Sequence, residues 1–169
     1  MKILTKQQTE DWLARKLHFS LDRDSLKSRF EQPLRYALPT DSGQKTHLAR
    51  ALRKMILPQA EGLLWITGWG VWPSAENVDL FYGFRKSLGE TRFLIDAPGH
   101  MFSEPDLADI ECLLDITLYF FWDASLVEGS GECVVKISHD EHIDVYATNK
   151  SRLKMFQELF DDIKLRAIA

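Results

Sequence analysis

The chain has 169 residues, 45% of them hydrophobic and 27% charged, with a formal net charge of −4 at pH 7. That length fits one globular domain, able to bury roughly two thirds of its unfolded surface without a metal or disulfide staple. The mild acidity argues against nucleic acid as a partner, because phosphate binding needs a basic footprint. No apolar run approaches the ~20 residues of a membrane span, and residues 1–6 lack the apolar core of a signal peptide. The cytoplasm is therefore the expected location, and a membrane is not an expected partner. Cys112 and Cys133 stand in no CxxC pattern and read as two buried, reduced thiols.

Thr5 and Gln8 make a capping-box pattern, which predicts a first helix over 6–17 with Trp12, Leu13 and Leu17 on its inward stripe. Residues 18–32 are polar, with Phe19, Leu21, Leu26 and Phe30 scattered through them, and read as a loop plus a short helix. Residues 33–38 alternate like a strand and are closed by Pro39. Turn residues at 40–43 lead into a helix with Leu48, Leu52, Met55 and Ile56 on one face, stopped by Pro58. Residues 63–67 form a second strand, apolar enough to be covered on both faces. Ser74 then caps a helix that ends near Gly89. Residues 91–95 read as a third strand with 96–100 as its exit loop, and Pro105 opens a helix carrying Leu107, Ile110, Leu113 and Leu114.

From 117 to 127 the pattern becomes β-rich and aromatic, and 128–131 is a hairpin-type connection. Residues 133–138 and 143–146 alternate about a polar turn at 139–142. Thr148 or Asn149 caps a final helix with Leu153, Phe156, Leu159, Phe160 and Ile163 on its apolar face. The order is one helix, three strand–helix units, three strands and a helix. It predicts an α/β fold with α+β character: a mixed sheet in which three parallel βα units precede an antiparallel three-strand meander, with helices on both faces and a single domain over 1–169.

In such a sheet, ligands sit outside the carboxyl ends of the parallel strands. The loops there hold Asp41, Trp69, Trp72, Ser74, Asp96 and His100. Asp96 and His100 are the candidate catalytic pair, a base with a carboxylate to orient it. Trp69, Trp72, Ser74, His100 and Asp41 are the candidate binding residues, with Gly68 and Gly70 allowing close backbone approach. Each has a structural role to set beside the functional one: Asp41 and Ser74 as helix caps, Asp96 as a turn residue, the tryptophans and Trp65 as packing.

Other motifs exclude more than they support. No GxSxG elbow surrounds Ser42 or Ser74. Gln44 stands before Lys45-Thr46 where a Walker loop needs glycine, which removes nucleotide hydrolysis. His47, Arg50 and Lys54 align on one helix face as a solvated basic stripe. His139 and His142 are three apart in a turn with no third ligand in view, so no metal and no cofactor are expected.

These negatives lead to one expectation: a non-catalytic cytosolic domain that binds another protein, of the inhibitor or immunity type. Its anchors would be the 69–72 loop and the aromatic run Tyr119, Phe120, Phe121 and Trp122. The competing expectation is a small hydrolase or small-molecule binder using the strand-end crevice near Trp69, Trp72, Asp96 and His100.

Overall fold

The computed structural model of the chain describes residues 1–30, 32–56, 61–69 and 75–168, with the backbone alone at 23 and 75–78. Its elements in order are β1 (Lys2–Leu4), α1 (Lys6–Leu17), α2 (Arg23–Arg29), β2 (Leu34–Ala37), α3 (Ser42–Ile56), β3 (Glu61–Gly68), α4 (Ala75–Ser87), β4 (Gly99–Ser103), α5 (Leu107–Tyr119), β5 (Asp123–Glu128), β6 (Cys133–Ser138), β7 (His142–Ala147) and α6 (Lys150–Asp162). A 3-10 turn over Glu104–Asp106 leads into α5.

Among the described residues the strands form one seven-stranded sheet in the order β1-β4-β3-β5-β6-β7-β2. Every neighbouring pair is antiparallel. The fold is thus an α+β layer structure, and the expected parallel βα units are corrected. A strand–helix–strand order fixes neither the direction nor the neighbour of the next strand. Here β2 goes to the far edge beside β7, while β4 runs back along β3 with Leu64 opposite His100. The meander β5-β6-β7 is as expected.

The third strand also lies elsewhere than expected. Residues 94–96 form a turn, closed by Asp96 N–H and Ala97 N–H donating to the Phe93 carbonyl at 3.1 and 3.0 Å. Residues 99–100, expected in a loop, open β4. Gly99 is required there, because a Cβ would stand 2.1 Å from Thr9 Oγ1 where α1 crosses the strand. The β-rich reading of 117–127 divides as well. The helix α5 continues to Tyr119, Phe121 takes a positive φ of 52°, and β5 begins at Asp123.

The sheet has a core on each face. Leu63, Val127, Val134 and Tyr146 pack under α1 and α2 with Trp12, Leu13, Leu17, Leu26 and Phe30. Leu64, Ile66, Leu126, Val135, Ile143 and Val145 pack under α3 to α6 with Leu52, Phe81, Leu114, Phe156 and Phe160. Successive residues of a strand join the two cores in turn, the period-2 pattern that places adjacent side chains on opposite faces. Across the second core, the Arg152 guanidinium of α6 pairs with the buried Glu128 carboxylate and donates to the Met55 carbonyl at 3.0 Å.

One further expectation changes. Cys112 is exposed on α5, while Cys133 is buried, and both are free thiols. Lys45 of α3 is buried with Nζ 3.6 Å from the Phe121 ring centroid and 3.2 Å from the Tyr119 carbonyl. On the outer side of β2, the 166–168 segment adds backbone bonds from Ala37 N–H to Arg166 and from Ile168 N–H to Arg35. Among the described residues no helix is long and apolar enough to cross a membrane.

Candidate functional site

Helices α1 and α2 do not cover their whole face of the sheet. Between them and the strands lies a cleft of about 850 Å³, lined by α1, the 18–22 loop and residues of β3, β5 and β6. Small-molecule sites occupy ~300–1,000 Å³.

The wall is built by helix ends. Helix α1 stops at His18, which takes the left-handed conformation with φ 55° and donates its N–H to the Ala14 carbonyl. The chain turns there, and the Phe19 ring packs edge-on against Phe30 at 5.5 Å. Asp22 then caps α2, accepting from the backbone of Asp24 and Ser25 at 3.0 and 2.9 Å. The hydroxyl of Ser20, with the backbone and hydroxyl of Ser25, holds the Asp22 carboxyl well below the usual carboxylate range.

The floor is one cross-strand row. Trp65 of β3 stands opposite Ser125 of β5, Ser125 opposite Lys136 of β6, Lys136 opposite Asp144 of β7, and Asp144 opposite Arg35 of β2. The first three line the cleft. Trp65, expected in the core, is only half-buried and offers its ring to the cleft. Lys136 Nζ donates to the Leu21 carbonyl at 3.1 Å, tying the 18–22 loop to the sheet. Asp144 is held by both arms of Arg35, at 2.6 and 2.7 Å.

At the end of the floor, the β3–β5 pairing shifts register between Ile66 and Gly68. Thr67 sits in that irregularity, and its hydroxyl donates to the Asp123 carbonyl at 3.3 Å. Asp123 accepts from His139 twice, from the backbone N–H at 2.9 Å and from Nδ1 at 2.7 Å. The bond and charge of Asp123 raise the His139 imidazole above its ordinary value. The 139–141 segment is thus a polar turn, with His139 held on Asp123 and His142 opening β7. A second recess of about 400 Å³, beside the start of α3, is lined by Asp140, Glu141, Lys164 and Arg166, charges of both signs.

The residues singled out from sequence fall elsewhere. Asp41 is exposed and caps α3 through Gln44 N–H at 2.9 Å. Trp69 is half-buried against the larger core. Asp96 is exposed in the turn after Phe93. His100 is 0% exposed on β4, one strand in from the sheet edge. Its Nδ1 faces the Leu64 carbonyl at 3.3 Å, so Nδ1 carries the proton, and its ring meets Phe81 edge-on at 5.8 Å. Burial, with the Arg85 charge nearby, pushes the imidazole down to about 3. No hydrogen bond, ion pair or ring contact among the described residues joins any two of Asp41, Trp69, Asp96 and His100. Trp72 and Ser74 lie outside the described residues. Of the aromatic run, Trp122 is buried and Tyr119 is exposed, with Phe120 and Phe121 between.

The cleft residues had a signal in the sequence. Ser125, Lys136 and Asp144 are each a polar residue between two apolar ones at the middle of a strand. Read as one row, they mark a sheet face that a helix does not seal. Compared with protein-family models, curated proteins and solved structures, the chain matches none.

Proposed function

We propose that this chain is a non-catalytic binding protein that takes a small organic molecule into the cleft between α1, the 18–22 loop and the sheet. The observation that carries the reading is the floor: a half-buried tryptophan, a hydroxyl and an ammonium in consecutive register positions, facing Leu13, Ala14, Phe19 and Leu21 with Glu10, His18, Ser20 and Asp22 among them. A few fixed polar groups in a mostly apolar recess are what orient a small ligand. Binding is favoured over hydrolysis because, among the described residues, no base is hydrogen-bonded to the Ser125 hydroxyl and no nucleophile is bonded to His139. The reading places the protein in the cytoplasm, which two free thiols support.

The test follows the indole N–H signal of Trp65, assigned by its loss in Trp65→Phe, through a ligand panel by two-dimensional NMR. Saturable shifts of that signal together with the amides of 18–22 are expected. If no compound moves them, the cleft is not a ligand site.

A protein partner is the second reading, favoured by Phe93 and Ile95, which are 63% and 70% exposed on one turn beside Tyr82. Large apolar side chains held out on a turn have the character of interface anchors. A photo-crosslinking residue at Ile95 would give a single adduct, lost in Phe93→Ser. Diffuse labelling removes this reading.

A further inference from the structure

We propose that the ligand of the cleft is an organic anion, a carboxylate joined to a flat apolar body, with the carboxylate on Lys136 and Ser125 and the flat body on Trp65. This inference rests on the reading of the cleft as a ligand site.

Lys136 lies at the middle of β6 between the buried Val135 and Ile137, and its side chain rises into a half-buried position. A cation partly removed from water needs a compensating charge or several hydrogen bonds. The carboxylates in reach are committed elsewhere. Asp144, directly across the strand pair, has both oxygens on Arg35. Asp22 is taken up by Ser20, Ser25 and the first turn of α2. Glu10 is exposed on α1. Among the described residues Lys136 forms no ion pair, and its one hydrogen bond goes to the Leu21 carbonyl. An ammonium has three donors, so two remain for a ligand.

The Ser125 hydroxyl stands beside it on the next strand, with no hydrogen bond of its own among the described residues. Residues directly opposite on antiparallel strands have Cβ atoms ~5 Å apart, which suits one donor for each carboxylate oxygen. Trp65 follows on the same row. With strands ~4.8 Å apart, the tryptophan and lysine backbones are separated by ~10 Å, room for a ring system of one or two rings between charge and indole. Glu10 and Asp22 lie on the rim and bear the opposite charge, so a cationic ligand is the alternative that the test has to separate.

The experiment titrates the whole protein with three probes of one shape, 2-naphthoate, 2-naphthamide and 2-naphthylmethylammonium, and reads the Trp65 indole N–H and the 18–22 amides by NMR. The acid is expected to bind at least about tenfold more tightly than the amide, the gain of a charge-assisted pair over a neutral one. Lys136→Met should erase that difference, bringing acid and amide to the same affinity whatever the loosened 18–22 loop does to both, and Lys136→Arg should restore most of it. Equal binding of acid and amide, or tighter binding of the ammonium, overturns the anion inference and leaves the cleft a ligand site. Silence from all three probes, with the Trp65 signal still that of the folded protein, overturns both.

Discussion

The ammonium of Lys136 reaches off the sheet to the backbone carbonyl of Leu21, 3.1 Å away, and makes the centre of β6 the anchor of the loop that leads into α2. A hydrogen bond with one charged partner contributes about 1.5–3 kcal/mol when shielded and less at a half-buried site. Lys136→Met should therefore loosen the loop more than the fold. The expected outcome is faster hydrogen exchange at amides 19–22, with the amides of β6 and β7 unchanged. Uniform loss of protection would mean that the lysine stabilises the sheet itself.

His100 gives the protein an acid-sensitive centre. Its imidazole is neutral in the folded chain down to about pH 3, whereas an unfolded histidine takes up a proton near 6.5. Between those values the unfolded state binds more protons, so stability is full above about 6.5 and falls as the pH is lowered, by at most ~1.4 kcal/mol per pH unit. Urea midpoints at pH 7.5, 6.5, 5.5 and 5.0 should trace this decline. His100→Gln, which keeps a donor toward the Leu64 carbonyl, should flatten it.

His139 works in the opposite direction and in a higher window. Asp123 raises its imidazole, so the proton favours the folded state, and that contribution is present below about 6.5 and lost as the pH rises through the raised value. The side-chain NMR titration of His139 should show a midpoint above the ordinary histidine value. Asp123→Asn should bring it down and unpin the turn. A midpoint unmoved by the substitution would show that the 2.7 Å contact does not persist in solution.

Gly99 is the point where α1 touches the sheet. Its missing Cβ leaves the space filled by Thr9 Oγ1, and Leu4 Cβ would lie 3.2 Å from an added carbon. Gly99→Ala should destabilise the fold by about 1–3 kcal/mol through overpacking. Thr9→Ala should recover part of that loss in the double variant, giving a favourable coupling in urea denaturation. Additive losses would place the strain elsewhere.

Helices were legible because their signals are local. The Thr5 and Gln8 box is present as read, and Asn149 accepts from Arg152 N–H at 2.8 Å to start α6. Strand direction was not legible, since it is decided by contacts between residues far apart in the chain. The segment 91–95 has strand composition, yet Phe93 and Ile95 face outward from a turn. Parallel strands would gather Asp96 and His100 at one end of the sheet; the antiparallel order separates them, and the cleft lies on a sheet face instead. A mid-strand position alone predicts a core Trp65, and only the limited reach of α1 and α2 over the sheet leaves it half-buried.

The clasp of Arg35 on Asp144 lies two strands away from Ser125, yet it sets the charge on the cleft floor. An arginine on β2 keeps an aspartate on β7 from neutralising the lysine on β6. Arg35 also accepts the Ile168 N–H on the outer side of the same strand. The 166–168 segment, held by the Arg35 backbone carbonyl, is thereby joined through that one residue to the guanidinium that occupies Asp144. Freed from Arg35, Asp144 would stand directly across the strands from Lys136 as a carboxylate able to pair with it, and Glu10 and Asp22 would then be the unneutralised charges lining the cleft.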